Sequence, residues 1–260
     1  MARNEVVLEG SSSTLQVDTL IKYLHRRGDL AGLLRRAFVE DFIVRSAIEA
    51  GIVATVAELQ HAADLYRRRR GLRTAAATHR WLESRHLSPA QFEARIERWL
   101  LAEKLKDHVT ANDIENAFSK RRAEFDAVGI RQAIMPTQDA AKEMLERLHE
   151  GVDFSTAARL FASPAAMAKA FEVAQRFRRE LSAAIAERAF AAGVGTTIGP
   201  FADAEGFSLI RIEIKTDAML DARTCSVLRD ELFANWLAQR LDQPIRFPLL
   251  ETLDSQFVAA

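Results

Sequence analysis

The chain has 260 residues, of which 36 are Lys or Arg and 36 are Asp or Glu, so its formal net charge is zero. That balance excludes proteins whose affinity rests on bulk positive charge, such as a dedicated nucleic-acid binder or a polybasic membrane-surface protein. A hydrophobic fraction of 48% with 28% charged residues fits a folded chain rather than a disordered one, and a lone cysteine, Cys225, excludes an internal disulfide framework and a cysteine zinc cluster. The length allows one large domain or two modest ones. No apolar h-region follows Ser11-Ser12-Ser13, and no run approaches the ~18 apolar residues of a membrane helix. The expectation is a cytoplasmic protein with no membrane insertion and no nucleic-acid partner.

In chain order, residues 1–13 read as a flexible N-terminus. Leu15, Val17, Leu20, Ile21 and Leu24 then make one apolar helical face, and Leu30, Leu33, Leu34, Phe38, Phe42 and Ile48 continue it at i, i+3, i+4, i+7 spacing. Gly28-Asp29 separates the two helices with Asp29 as N-cap, and Gly51 closes the second. Thr55-Val56-Ala57-Glu58 has capping-box spacing and opens a helix that ends before Gly71. Helices follow over 74–85, from the Ser88-Pro89 start signal through Leu105, and from Thr110 through Phe125. The pattern changes near 128. Val128 to Met135 reads as a strand stopped by Pro136, followed by a helix over 137–149, a short helix over 154–161 and another over 182–192. Gly206 to Ile214 alternates from Ser208 and is the clearest strand; the helical period returns over 221–241. The fold class is therefore α+β: a helical module, a mixed module with a small antiparallel sheet, and a C-terminal helix that returns to the helical module.

The chain contains no GxxxxGK[ST] loop, HExxH motif or GxSxG elbow, and Gly193-Val194-Gly195 reads as a turn. His25, His61, His79, His86, His108 and His149 are scattered among Arg- and Glu-rich stretches and read as surface residues, so no metal site and no cofactor are expected. Arg67-Arg68-Arg69-Arg70 reads as a solvated helix end that complements the helix dipole, in preference to a phosphate or acidic-peptide contact. Cys225 reads as a small packing residue.

The second module resembles the parvulin-type peptidyl-prolyl isomerase domains of the PpiC and SurA kind. Arg131-Gln132-Ala133-Ile134-Met135 resembles that family's first strand, and Leu148-His149-Glu150-Gly151-Val152-Asp153-Phe154 its helix-ending turn. Ala189-Phe190 through Gly199-Pro200-Phe201, then Gly206-Phe207-Ser208-Leu209-Ile210, resemble its closing segments. The resemblance spans about 128–216 and implies the domain plan 14–127 SurA-like helical, 128–216 parvulin-like, and 217–260 a helix and tail on the helical module. It also departs from the family. The two usual cleft histidines fall at Gln132 and Ser208, and the glycine-rich stretch maps near 170–174 without a glycine.

By this resemblance Gln132 and Ser208 are the catalytic candidates, and Met135, Leu181, Ile185 and Phe190 would hold the substrate proline. Isomerisation faces a barrier of about 18–20 kcal/mol from amide resonance and needs little acid–base chemistry, so an apolar pocket that favours the twisted amide can suffice. The expectation is a chaperone for unfolded or extended polypeptide, with weak or lost isomerase activity. The alternatives are an active isomerase on a proline-containing precursor peptide and a scaffold subunit of a peptide maturation complex. Whether residues 164–180 form a helix that fills the cleft stays open at this level.

Overall fold

A computed structural model describes residues 6–9, 14–242, 246 and 248–250. The chain divides into two compact units. Unit 1 combines the residues up to Ala111 with those from Arg229 onward, and unit 2 holds Asn112–Leu228.

Unit 1 begins with an antiparallel hairpin, β1 (Val6–Glu9) and β2 (Thr14–Gln16). Part of the segment expected to be flexible is thus a strand; the rest of 1–13 lies outside the described residues. Five helices follow: α1 (Val17–Arg26), α2 (Asp29–Glu49), α3 (Val56–Arg69), α4 (Ala75–Ser84) and α5 (Pro89–Thr110). Their starts are chemically specified. Thr55 and Ser88 each form a full capping box, with Glu58 and Gln91 respectively, and Pro89 takes the first position of α5. At α2 the cap is Gly28, not Asp29: its φ of 77° turns the chain between helices, and Asp29 becomes the first helical residue.

Two apolar clusters hold this unit. In one, Ala47 and the α5 residues Leu101 and Leu105 meet Phe233 of the C-terminal helix α11 (Ala222–Arg240), with Trp236 and Leu237 packed alongside. Phe233 stacks on Trp236 at 5.7 Å. The C-terminal helix therefore does return to the helical module, and Lys106–Asp230 (2.8 Å) and Arg229–Asp107 (3.1 Å) ion pairs flank the seam. The other cluster joins Ala62, Leu82, Phe92 and Ile96, with Tyr66, Trp81 and Phe92 in mutual edge-to-face contact at 5.6–6.2 Å.

Unit 2 opens with α6 (Ile114–Arg121) and a 3-10 turn (Arg122–Phe125), where the periodicity predicts one helix from Thr110 to Phe125. Thr110 instead closes α5, its hydroxyl donating to the Lys106 carbonyl at 2.7 Å. β3 (Ala127–Met135), α7 (Gln138–His149), α8 (Phe154–Phe161), α9 (Met167–Phe171), β4 (Ala174–Phe177), α10 (Ala183–Ala191), β5 (Thr197–Asp203) and β6 (Gly206–Thr216) follow, then α11 (Ala222–Arg240). The sheet order is β4-β3-β6-β5, antiparallel throughout.

The expected module boundaries at 127/128 and 216/217 are displaced to 111/112 and 228/229. The reason is packing. Phe125 is 1% exposed, lies edge-on to Phe177 at 5.4 Å and also contacts Phe118, so the segment before β3 belongs to the sheet's own core. On the far side, the Asp126 carboxylate accepts the Ala218 amide at 3.1 Å.

Residues 164–180 form no single helix. After α9, β4 pairs with β3, Ile130 opposite Ala174 and Ala127 opposite Phe177, so this segment extends the sheet edge. Gly129 leaves room for it, since a Cβ there would stand 3.0 Å from the Val173 side chain.

Candidate functional site

The two faces of the sheet are covered differently, and strand alternation assigns each residue to one of them. On one face Ala133, Met135 and Leu209 pack under α7 and α8 with Ala141, Met144 and Phe154. On the other, Val128, Ile130, Ile210 and Ile212 pack against Ala189 of α10 and Ile198 of β5, with Leu181, Ile185 and Phe190 alongside.

The β3–β6 register sets Gln132 opposite Ile210 and Ile134 opposite Ser208. Gln132 and Ser208 are thus diagonal neighbours on the α10-covered face, a separation of about 7–8 Å between Cα atoms in regular pairing. That face carries Gln132, Ser208, Leu181, Ile185 and Phe190. Met135 does not join them. It lies one residue from Ile134, so the period of two sends it to the opposite face, where it is fully buried in the α7–α8 core. Its assignment to the substrate pocket is corrected accordingly.

Local chemistry explains the motifs on both sides of the sheet. In the Gly151-Val152-Asp153-Phe154 turn, Gly151 has φ 94° just beyond α7. Asp153 caps α8 by accepting the Ser155 and Thr156 amides at 2.9 and 3.2 Å. Hydrogen bonds from Thr156, then from Ser155, hold its carboxyl below the ordinary aspartate range despite partial desolvation. In β5, Gly199 has φ 127°, and a Cβ there would lie 2.7 Å from the Ser208 carbonyl oxygen and 3.0 Å from the Leu209 side chain. Only glycine lets β5 approach β6 this closely beside Ser208.

Ser208 is 1% exposed, and its Oγ has no hydrogen-bond partner among the described residues. Gln132 is half-buried and keeps an amide that can donate and accept. The surroundings are otherwise apolar, and the cations near them are occupied. The Arg178 guanidinium lies 3.8 Å from the centroid of Phe190, and Arg188 lies over Phe201 at 4.9 Å while donating to the Gly199 carbonyl at 3.2 Å. Sequence reasoning missed these two arginines; the i, i+2 spacing of Arg188 and Phe190 gave no hint, since both stack on aromatics brought in by the fold. This face combines apolar side chains with the amide of Gln132, and among the described residues it presents no acid–base pair. Among the described residues no group of three or more His, Cys, Asp or Glu could hold a metal ion, and no helix is long and apolar enough to cross a membrane.

This arrangement, one small antiparallel sheet with helices on both faces and an apolar helix over the strand pair that bears Gln132 and Ser208, is the architecture of a parvulin-type domain. In agreement, residues 109–219 match the family model of the PPIC-type PPIASE domain. Unit 2 thus carries a PpiC-type domain. No curated protein sequence matches the chain closely enough to count as a relative.

Among solved structures, the chain is similar to the PrsA peptidylprolyl isomerase of Bacillus anthracis, at 15% identity over 83% of this chain and 100% of that one, with a TM-score of 0.46. It is similar to the foldase protein PrsA of Streptococcus pneumoniae at 12% identity, 96% and 98% coverage and a TM-score of 0.45. One of two structurally related SurA-like chaperones of Campylobacter jejuni aligns at 12% identity, 96% and 98% coverage and a TM-score of 0.33.

Proposed function

We propose that the protein is a chaperone for extended polypeptides in which the PpiC-type domain has little or no prolyl isomerase activity. The observation that carries the reading is the state of Ser208. It stands where the family resemblance expects a cleft histidine, yet its hydroxyl is buried and unpartnered. A hydroxyl of that reach cannot span to a substrate carbonyl that an imidazole would meet. Gln132 on the same face can still hydrogen-bond a peptide, and Leu181 and Ile185 offer an apolar wall. Such a face binds proline-containing chain more readily than it twists an amide, because only interactions stronger in the transition state accelerate the reaction.

We assign as client an unfolded, proline-containing precursor polypeptide, and as compartment the cytoplasm, where a single unpaired Cys225 is at home. The test is the affinity of the intact protein for a permanently unfolded, dye-labelled polypeptide, compared with a Leu181→Asp variant shown to be folded by far-UV circular dichroism. The reading expects at least about tenfold weaker binding in the variant, equivalent to about 1.4 kcal/mol. Equal affinity in a folded Leu181→Asp protein would remove the proposed face. Recovery from a membrane or periplasmic fraction would overturn the compartment.

A further inference from the structure

The most elaborate surface chemistry of the molecule lies outside the PpiC-type domain, in unit 1. A concavity of about 690 Å³ is lined by Tyr66, Arg69, Arg70, Trp81, Arg95 and Trp99. The arginine run that ends α3 therefore does not simply face solvent: two of its members meet Arg95 from α5 in one hollow. Among the described residues none of these three arginines forms an ion pair, whereas neighbouring Arg67 is paired with Asp64. Three guanidiniums converging without a carboxylate leave a positive hollow in a chain of zero net charge.

The aromatics fix the cations. Arg70 lies 5.0 Å from the centroid of Tyr66 and 5.6 Å from that of Trp81, and Arg95 lies 5.9 Å from Tyr66. A guanidinium held beside rings by cation–π attraction keeps N–H groups available, and that planar fork can grip a carboxylate in bidentate fashion. The Tyr66 hydroxyl is itself buried without a hydrogen-bond partner among the described residues, so a donor is already desolvated in this wall.

Trp99 is 39% exposed and is shared with two further concavities. One, of about 460 Å³, includes Ile43, Val44, Ala94 and Ala102 together with Glu40 and Arg95; the other, of about 350 Å³, includes Ala57, Ala62, Leu65 and Leu100 together with Glu58. An extended peptide sends alternate side chains the same way at about 6.6–6.8 Å intervals, so side chains two residues apart can occupy a cationic and an apolar hollow together.

We infer that this hollow is a docking site for a carboxylate side chain of an extended polypeptide whose apolar residue two positions away seats against Trp99. The occupant is a peptide rather than a nucleic acid. Arg70 already lies over the rings of Tyr66 and Trp81, which leaves a base only Trp99 to stack on, too little for a platform that binds successive bases. The inference deepens the chaperone reading and rests on it for the identity of the ligand, but it uses no residue of the PpiC-type domain.

The test uses the full-length protein and two end-capped, dye-labelled peptides: one with glutamates two positions before and after a phenylalanine, the other with glutamines in their place. Fluorescence polarisation should show the glutamate peptide binding at least about tenfold tighter at low salt, with the preference shrinking as salt rises. Arg95→Gln and Arg69→Gln should each abolish most of the preference for the glutamate peptide. Equal affinity for both peptides overturns the carboxylate site but leaves the chaperone reading standing. Failure of both peptides to bind, while the unfolded polypeptide binds through Leu181, overturns the site alone; failure of all three overturns both. Tighter binding of a thymidine oligonucleotide, lost in Arg95→Gln, replaces the peptide with a nucleic acid and overturns the inference.

Discussion

Ser208 shows how much one side chain decides here. A buried hydroxyl without a partner costs free energy, of order 1–3 kcal/mol, that an apolar replacement does not incur. Ser208→Ala should therefore be neutral or stabilising by up to about 1 kcal/mol in urea unfolding. A loss of more than that would reveal a partner for the hydroxyl, and with it a polar network on this face. Glu58 makes a different residue-scale prediction. The Lys104 ammonium, 2.7 Å away, and the Thr55 amide and hydroxyl lower its carboxyl from 4.5 to about 2. Because the folded value is depressed, this contribution to stability is complete above about pH 4.5 and is lost as the pH falls toward 2. Lys104→Met should flatten the acid-side stability profile over that window. An unchanged profile would show that the pair contributes nothing in solution, as exposed pairs often do.

At the scale of elements, β5 and β4 carry the lessons. Gly199→Ala would force a non-glycine residue to φ 127° and press a methyl onto the Ser208 carbonyl. A destabilisation of about 2–3 kcal/mol is expected, with hydrogen exchange rising first along β5. Capping boxes, Gly-ended helices and the alternation of β6 were legible from local sequence because each has its own local chemistry. β4 was not. Ala174–Phe177 is a four-residue edge strand with two exposed polar positions, too short for a period to register. The placement of Gln132, Ser208, Leu181, Ile185 and Phe190 was legible only through the family resemblance. Met135 was misplaced because resemblance marks a position along the strand, while the face is decided by strict alternation.

At the scale of the whole molecule, the helical–mixed–helical order was readable from the change of period near residue 128, but the unit boundaries were not. They are set by Phe125 on Phe177 and by Phe233 among Ala47, Leu101 and Leu105, contacts between residues far apart in the chain. Phe233→Ala should cost about 3–5 kcal/mol and raise hydrogen exchange in α2 and α5 while β3 and β6 stay protected. Uniform deprotection of both units would contradict the division. The proposed function requires that the PpiC-type domain bind proline-containing chain without efficiently isomerising it. Exchange NMR on a panel of Xaa-Pro peptides titrated with the intact protein tests this most directly. The account predicts concentration-dependent shifts or broadening of the peptide resonances with cis–trans exchange close to the uncatalysed rate of tens to hundreds of seconds. Strongly enhanced cis–trans exchange would contradict it and make the protein an isomerase in which Gln132 suffices.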